Sequence, residues 1–358
     1  MIRTGFILLV WNCLFHFSTI AGEEGVHLSA YYYPWYDRDG RHWEEGYRGK
    51  SSATGPALGL YSSRDPETIV KQVNWSRQMG VKNWVCAWWG KDSWEDVTLK
   101  LRVAPILDQL KDSENQRPTT FCLFYESEGL LGLDPAKGIE FDDHKTRKLI
   151  DDFTYLSNTY FNNPSYYRIN QRPVVYLYLS RTFSGDFGNA IDQVRKTLKA
   201  RGFDLYLIGD EVYWGEPNPA RIRAFDAITS YNMHGPPPDG DWAKFFDDCE
   251  AVYLQYRKTA AALNVAFIPG LLPGFNSHDA DPAKRHYIIP RQYKTADGKT
   301  ISTLDRFIEM AKRTLDPDLK AATVTSFNEW HEGTQLEPSK NGPTTFPSLL
   351  DFSRGTAN

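Results

Sequence analysis

Cysteine and methionine are scarce in this chain, four of each among 358 residues, and neither sign of charge dominates. Cys13, Cys86, Cys122 and Cys249 are too widely spaced for a disulfide framework or a zinc pattern, so they read as small buried hydrophobes. With 41 Lys and Arg against 45 Asp and Glu the net charge is −4. That total supplies no positive face to neutralise phosphates, which argues against a nucleic-acid partner. No heptad run or charged tail points to an obligate protein partner, and a monomer is expected. No phosphate-cradling glycine loop stands out, and no cofactor is expected.

Long apolar runs are missing too. The stretch Gly5 to Phe17 follows a positive start at Met1 to Arg3 and precedes the small-residue site Thr19-Ile20-Ala21. It falls short of the ~20 residues that span a bilayer. Residues 1–21 therefore read as a secretory signal, with a membrane anchor as the rival reading. Residues 22–358 would then form one secreted or periplasmic domain, with no membrane association in its mature form. Cleavage after Ala21 would also remove Cys13. One sequon, Asn74-Trp75-Ser76, falls inside a predicted helix.

What the chain has in excess is aromatic surface: 11 Trp, 20 Tyr and 20 Phe, 14% of the residues. Flat rings are platforms for sugar faces and similar ligands. From residue 27 onward short apolar runs alternate with segments of helical period, the pattern of repeated βα units. Eight strands are expected: Leu28 to Tyr33, Val81 to Trp89, Thr119 to Tyr125, Pro173 to Leu179, Leu205 to Gly209, Ala227 to Tyr231, Val265 to Pro269 and Ala322 to Phe327. Their consecutive Val, Ile, Phe and Tyr suit strands covered on both faces. Asp65 can cap a helix from Pro66 that Gly80 closes, and Asp241 to Leu263 and Ile301 to Leu315 read as further helices. Eight strands alternating with helices fit a single-domain α/β protein of the (β/α)8 TIM barrel type better than an open sheet. Only Pro347 to Arg354 remains for the eighth helix.

In such a barrel the loops after the strand C-termini build the active site. Tyr31-Tyr32-Tyr33-Pro34-Trp35-Tyr36 and His42-Trp43 follow strand 1, and Trp88-Trp89 end strand 2. Glu126 follows strand 3, Asp210-Glu211 strand 5, and Tyr231-Asn232-Met233-His234 strand 6. Strand 8 runs into Asn328-Glu329-Trp330-His331-Glu332-Gly333. Breaking a glycosidic bond takes two carboxyl groups. Glu329 and Glu332 can both face the barrel mouth if the chain turns, as Gly333 permits. Two close carboxyls in an apolar pocket titrate apart, one rising far enough to act as an acid near neutrality. Glu-x-x-Glu alone is weak evidence, since such pairs are common on solvated faces.

The run Asn328 to Glu337, preceded by Thr325-Ser326-Phe327, resembles the signature of glycoside hydrolase family 99, the endo-α-mannosidases and endo-α-1,2-mannanases. Tyr32-Tyr33-x-Trp35-Tyr36 with His42-Trp43, Tyr61-Ser62-Ser63-Arg64-Asp65-Pro66, and Ile268-Pro269 with Pro273-Gly274 match in the same order. The resemblance implies a (β/α)8 barrel that cleaves internal α-mannosidic bonds of mannan or oligomannose glycans with retention and without a metal. It implies that Glu329 is the base toward the sugar 2-hydroxyl, whose oxygen attacks the anomeric carbon to give a 1,2-anhydro sugar, and that Glu332 is the acid and then the base. It places Tyr33, Trp88, Glu126 and Tyr231 at the sugar. Each has a plainer alternative: Tyr33 and Trp88 as barrel packing, Glu126 as the partner of an arginine. His331 either orients a glutamate or fills a corner, and His234 and Arg291 stay open.

The chain departs from the family where neighbouring sugars would bind. Phe124 replaces a histidine, Glu128 replaces a tyrosine, and Trp88-Trp89-Gly90 lacks the usual proline pair. A polysaccharide-processing relative with a non-mannose substrate, and a non-catalytic glycan-binding barrel, are the alternatives. A glycosyltransferase is disfavoured by the expected signal peptide and the missing phosphate loop.

Overall fold

The computed structural model describes residues 25–43, 55–111, 119–235, 240–276 and 288–355. The expected signal segment, residues 1–21, lies outside them. Eight parallel strand positions form the sheet: β1 His27–Tyr32, β2 Val81–Trp88, β3 Thr120–Tyr125, β4 Arg172–Leu177, β5 Tyr206–Asp210, β6 Ala227–Thr229, β7 Ala266–Ile268 continuing as Gly270–Leu271, and β8 Ala321–Val324. Each pairs with the next, and β8 pairs with β1 through His27 to Ala30. The (β/α)8 barrel expected from the alternation of elements is the fold observed.

β7 is where the ring closes by an unforeseen device. Ala266–Ile268 pairs with β6, whereas Gly270–Leu271 pairs with β8. Pro269 sits at the switch and has no N–H for a ladder, though its carbonyl accepts the Thr323 N–H at 3.1 Å. A side chain at Gly270 would place its Cβ 2.2 Å from the Ser230 carbonyl oxygen, so only glycine lets the two backbones pass.

Period two decides which side chains enter the barrel. Asn83 donates to Ser29 Oγ at 3.1 Å, and the Tyr176 and Thr323 hydroxyls meet at 3.3 Å between strands that are not neighbours. Tyr31 packs on Phe124, Tyr176 and Tyr231 with ring centroids 4.6 to 6.0 Å apart. Ser29, Tyr31 and Tyr33 thus climb the inner wall on β1, as Cys122, Phe124 and Glu126 do on β3. The other register faces the helices: Tyr32 stacks on Trp84 at 4.1 Å, and Trp84 Nε1 donates to Ser76 at 2.9 Å.

The outer layer is α1 Pro66–Gln78, α2 Trp94–Thr98 running through a π-helical turn into Ala104–Lys111, α3 Asp143–Thr159, α4 Phe187–Ala200, α5 Pro219–Ile222, α6 Trp242–Ala262, α7 Thr303–Thr314 and α8 Pro347–Arg354. Asp65 caps α1 as expected, accepting the Glu67 N–H at 3.0 Å. The short α8 does supply the eighth helix: Leu349 and Phe352 are buried, and the Ser353 carbonyl accepts the Val26 N–H at 3.1 Å. Cys86, Cys122 and Cys249 are buried and free.

Candidate active site

The loop after β8 is a short hairpin with its own stem. Ser326 N–H donates to Thr334 O at 3.0 Å, Leu336 N–H to Ser326 O at 2.9 Å, and Glu337 N–H to Phe327 O at 2.7 Å. The tip holds Glu329, Trp330, His331 and Glu332, and Gly333 turns the chain back at φ 65° as its sequence position predicts. Arg291 fastens the return, donating to the carbonyls of Gly333 at 3.0 Å and Gln335 at 2.6 Å, a structural role. Asn276 N–H donates to the Glu332 carbonyl at 2.6 Å.

Asn328 sews this loop to the end of β1. Its side-chain amide accepts the Tyr33 N–H at 2.7 Å and donates to the Tyr33 carbonyl at 3.0 Å, as a neighbouring strand would. Tyr33 is thereby carried to the mouth, where its hydroxyl lies 2.5 Å from that of Tyr231. Tyr231 donates to Glu332 Oε2 at 3.3 Å. Burial, then the charges of Glu126, Glu329 and Glu332, hold the Tyr33 phenol well above its usual range, opposed by the Tyr231 contact. One hydroxyl thus feels all three expected acids.

The two glutamates of the pair are set differently. Glu329 is buried, its backbone N–H on Ser326 Oγ at 2.7 Å and its Oε1 accepting the His331 backbone N–H at 2.8 Å. The His331 Nδ1 stands 3.7 Å from the same oxygen, and its Nε2 meets the His42 carbonyl. For that second contact to be a hydrogen bond the neutral ring must carry its proton on Nε2, which leaves Nδ1 without a hydrogen to donate, so His331 orients Glu329 through its backbone N–H while the ring anchors the tip to the His42 carbonyl. Glu332 is only partly buried by side-chain exposure, yet burial first and Glu329 second push its carboxyl up to about 8, against the Tyr231 hydrogen bond. At neutral pH it holds a proton it can give.

Glu126 enters from β3 in the inward register of Phe124 and is buried. It forms no ion pair among the described residues, so the arginine-partner alternative fails. Burial, then Glu329, Glu128, Glu332 and Glu95, raise its carboxyl well above the usual range. The acids of β5 answer differently. Asp210 pairs with Arg181 and accepts the Tyr231 N–H at 2.9 Å, and Glu211 pairs with Arg221 at 2.7 Å. Asp210 therefore aims Tyr231, and Glu211 belongs to the wall. His234 touches Asn232, stacks on Phe275 at 4.9 Å and is driven down to about 4 by burial and then by Arg181.

Trp88 is not at the mouth. It shares the outward face of β2 with Trp84, is fully buried, and donates its indole N–H to Asp96 at 2.9 Å. A ring with no exposed face cannot stack on a sugar. The next residue, Trp89, is 39% exposed and lies flat over Gly129, where any Cβ would come within 2.4 Å of the ring. Trp89 is the available platform on this rim. Sequence reasoning also passed over Tyr178, third in the inward series after Val174 and Tyr176, whose ring packs on Phe124 and Tyr231 at 5.2 Å each.

The substituted Phe124 is likewise placed at the site, stacked on Tyr231 at 5.7 Å. Glu126, Glu329 and Glu332 thus share one mouth with Tyr33 and Tyr231, and His331 stands behind them. A protonated carboxyl beside a fixed hydrogen-bonded one can serve acid and base in one reaction. Among the described residues no group of three or more His, Cys, Asp or Glu is placed to hold a metal ion.

A sequence model for glycosyl hydrolase family 99 matches residues 47–356. A human glycoprotein endo-α-1,2-mannosidase-like protein is 25% identical over 364 residues, covering 91% of this chain and 71% of that one. The mouse glycoprotein endo-α-1,2-mannosidase is 24% identical, with 91% and 70% covered. Among solved structures, the family 99 endo-α-mannosidase of Bacteroides thetaiotaomicron superposes with a TM-score of 0.65 at 20% identity, covering 91% of this chain and 95% of that one.

Proposed function

The chain belongs to glycosyl hydrolase family 99, and from that premise we propose that it is a retaining endo-acting enzyme that cleaves α-mannosidic bonds in mannan or oligomannose glycans. Glu332 protonates the leaving oxygen. Glu329 takes the proton from the 2-hydroxyl of the cleaved mannose, whose oxygen attacks C1 from behind and closes a 1,2-anhydro sugar. Water, deprotonated by Glu332, then attacks C1 and breaks its bond to O2, Glu329 returns the proton to O2, and the α configuration is restored. Mannose suits this route because its axial 2-hydroxyl lies anti to an α leaving group.

The observation that carries the reading is the unequal pair: Glu332 held up to about 8 beside a Glu329 pinned by the His331 N–H. No carboxylate has to bond to the sugar, so Glu329 only takes and returns a proton while its Oε1 keeps the His331 N–H. Tyr33 and Tyr231 line the reacting ring, Glu126 reaches a hydroxyl of the bound sugar, and Trp89 supplies a stacking face. Phe124 and Glu128 set which neighbouring sugar is accepted. We place the mature enzyme outside the cytoplasm, as a secreted or periplasmic monomer, on the character of residues 1–21. N-terminal sequencing of the exported protein checks that cleavage.

The test of function is incubation with α-1,2-branched mannan and with glucosyl- or mannosyl-capped oligomannosides, following released oligosaccharides by mass. A matched substrate lacking the 2-hydroxyl on the cleaved residue should not be cut. Cleavage of that analogue at the normal rate would overturn the anhydro-sugar route, and release from other polysaccharides alone would overturn the mannose assignment.

A further inference from the structure

We infer that Glu337, at the foot of the β8 hairpin rather than its tip, is the positioning residue that sets where Glu329 and Glu332 stand. This rests on the acid and base roles proposed above. Glu337 is 2% exposed. Its Oε2 accepts the Tyr61 hydroxyl at 2.8 Å and the Trp330 indole N–H at 2.7 Å, while its Oε1 accepts Gln72 Nε2 at 2.8 Å. Gln72 Oε1 in turn accepts the Tyr32 hydroxyl at 2.8 Å. One side chain therefore joins the hairpin tip, the loop before α1, α1 itself and β1.

The links run on to the catalytic pair. Tyr61 accepts from Asn328 Nδ2 at 3.3 Å, the Tyr36 hydroxyl donates to the Asn328 carbonyl at 3.0 Å, and the Trp330 N–H donates to Tyr36 at 3.2 Å. Asn328 precedes Glu329, and Trp330 follows it and precedes the His331 N–H that holds Glu329. Turning the Trp330 ring would swing the peptide that carries both contacts.

Only an acceptor-only group satisfies this node, because three donors converge on it and no acceptor does. Glutamine of the same shape would aim an NH₂ at the Gln72 NH₂. Adding Gln72→Glu to Glu337→Gln restores every bond, with only the one between positions 72 and 337 reversed in direction. The carboxylate introduced on α1 accepts from Tyr32 and from the amide introduced on the hairpin, whose oxygen still accepts from Tyr61 and Trp330. Burial raises the Glu337 carboxyl to about 7 against the pull of Gln72, Trp330 and Tyr61. Apart from these donors, the titratable groups that feel it among the described residues are the phenols of Tyr32 and Tyr36.

The test needs a readout that global stability does not move. Side-chain carboxyls are labelled with ¹³C and the Glu332 titration is followed in the wild type, Tyr61→Phe, Trp330→Phe, Glu337→Gln and the Glu337→Gln/Gln72→Glu pair, with turnover measured on the same samples. Tyr61→Phe and Trp330→Phe should each shift the Glu332 midpoint away from about 8 and lower kcat about tenfold with KM changed by less than about threefold, the size of one hydrogen bond to a charged group. Glu337→Gln should do so more strongly, and adding Gln72→Glu should restore both readouts. An unmoved Glu332 titration in all three single variants overturns the inference. A Glu332 titration that moves in the variants, with the wild type inactive on every mannan, would keep the positioning role while rejecting the substrate reading.

Discussion

Two buried carboxylates from neighbouring βα units, Asp96 in α2 and Glu126 directly after β3, are hidden from water to almost the same degree, 0% and 4% exposed. They behave in opposite ways. Burial alone would raise Asp96, but the hydroxyls of Tyr160 and Tyr155, the Lys100 ammonium and the Trp88 indole outweigh it and hold its carboxyl below the usual range. Glu126 meets burial with further carboxylates and no cation, and rises. Depth therefore does not distinguish a structural acid from a functional one; the partners do. Donors fix the acids that hold the wall together, as at Asp210 with Arg181 and Glu211 with Arg221, although burial still raises the Glu211 carboxyl, and no cation pairs with Glu126 or Glu332 at the mouth among the described residues.

The largest effect that would sharpen this contrast is on turnover. Glu332→Gln and Glu329→Gln should each lower kcat on the natural substrate by about 10³-fold or more, since acid–base roles are worth about 10² to 10⁴, while binding of oligomannose by calorimetry stays near wild type. Asp96→Ala should act on the other side of the divide. It strands Lys100 and several buried donors, so urea melting should show a loss of about 3 kcal/mol, with little change in kcat per folded molecule.

The pH dependence follows with its sign. Glu332 in the folded state titrates at about 8, above the ~4.3 of an unfolded glutamate, so the fold binds this proton more tightly than the random chain does. Its contribution to stability is fully present below about pH 4 and is lost as pH rises through about 8. Glu332→Gln should therefore flatten the decline in stability between those limits, and kcat/KM of the wild type should fall above pH ~8 as the acid loses its proton. An unchanged stability slope in the variant would break the contrast.

The smallest effect separates the paired tryptophans. Trp89→Ala should raise KM about tenfold at unchanged Tm, the worth of one stacking platform. Trp88→Ala should instead cost about 3 to 5 kcal/mol of stability through a buried cavity.

That pair also shows where the sequence was readable. All eight strands lie within three residues of their expected bounds, because consecutive β-branched and aromatic residues buried on both faces leave few alternatives. The same double burial erases the alternation that would tell inward from outward, so nothing in the strand itself contradicted the sugar-stacking role that the resemblance implied for Trp88. The break at Pro269 was invisible in Val265 to Pro269, since a proline at a strand end reads as termination and not as a change of partner. At the site, Glu329, Glu332, Glu126, Tyr33 and Tyr231 were legible from position after a strand and from resemblance. The supports were not: Asp96 depends on α3 residues about 60 positions away, and Glu337 on Gln72, 265 positions away. Nothing local marks those partners.

The most direct test of the division of labour between Glu329 and Glu332 uses a mannobiosyl substrate whose aryl leaving group departs without a proton. Glu332→Gln should release the aryl group in its first turnover at a rate near wild type, because the acid is no longer needed for departure, and slow afterwards for want of the base that activates water, whereas Glu329→Gln should show no such burst. If Glu329→Gln is rescued and Glu332→Gln is not, the roles assigned to the two carboxylates are reversed.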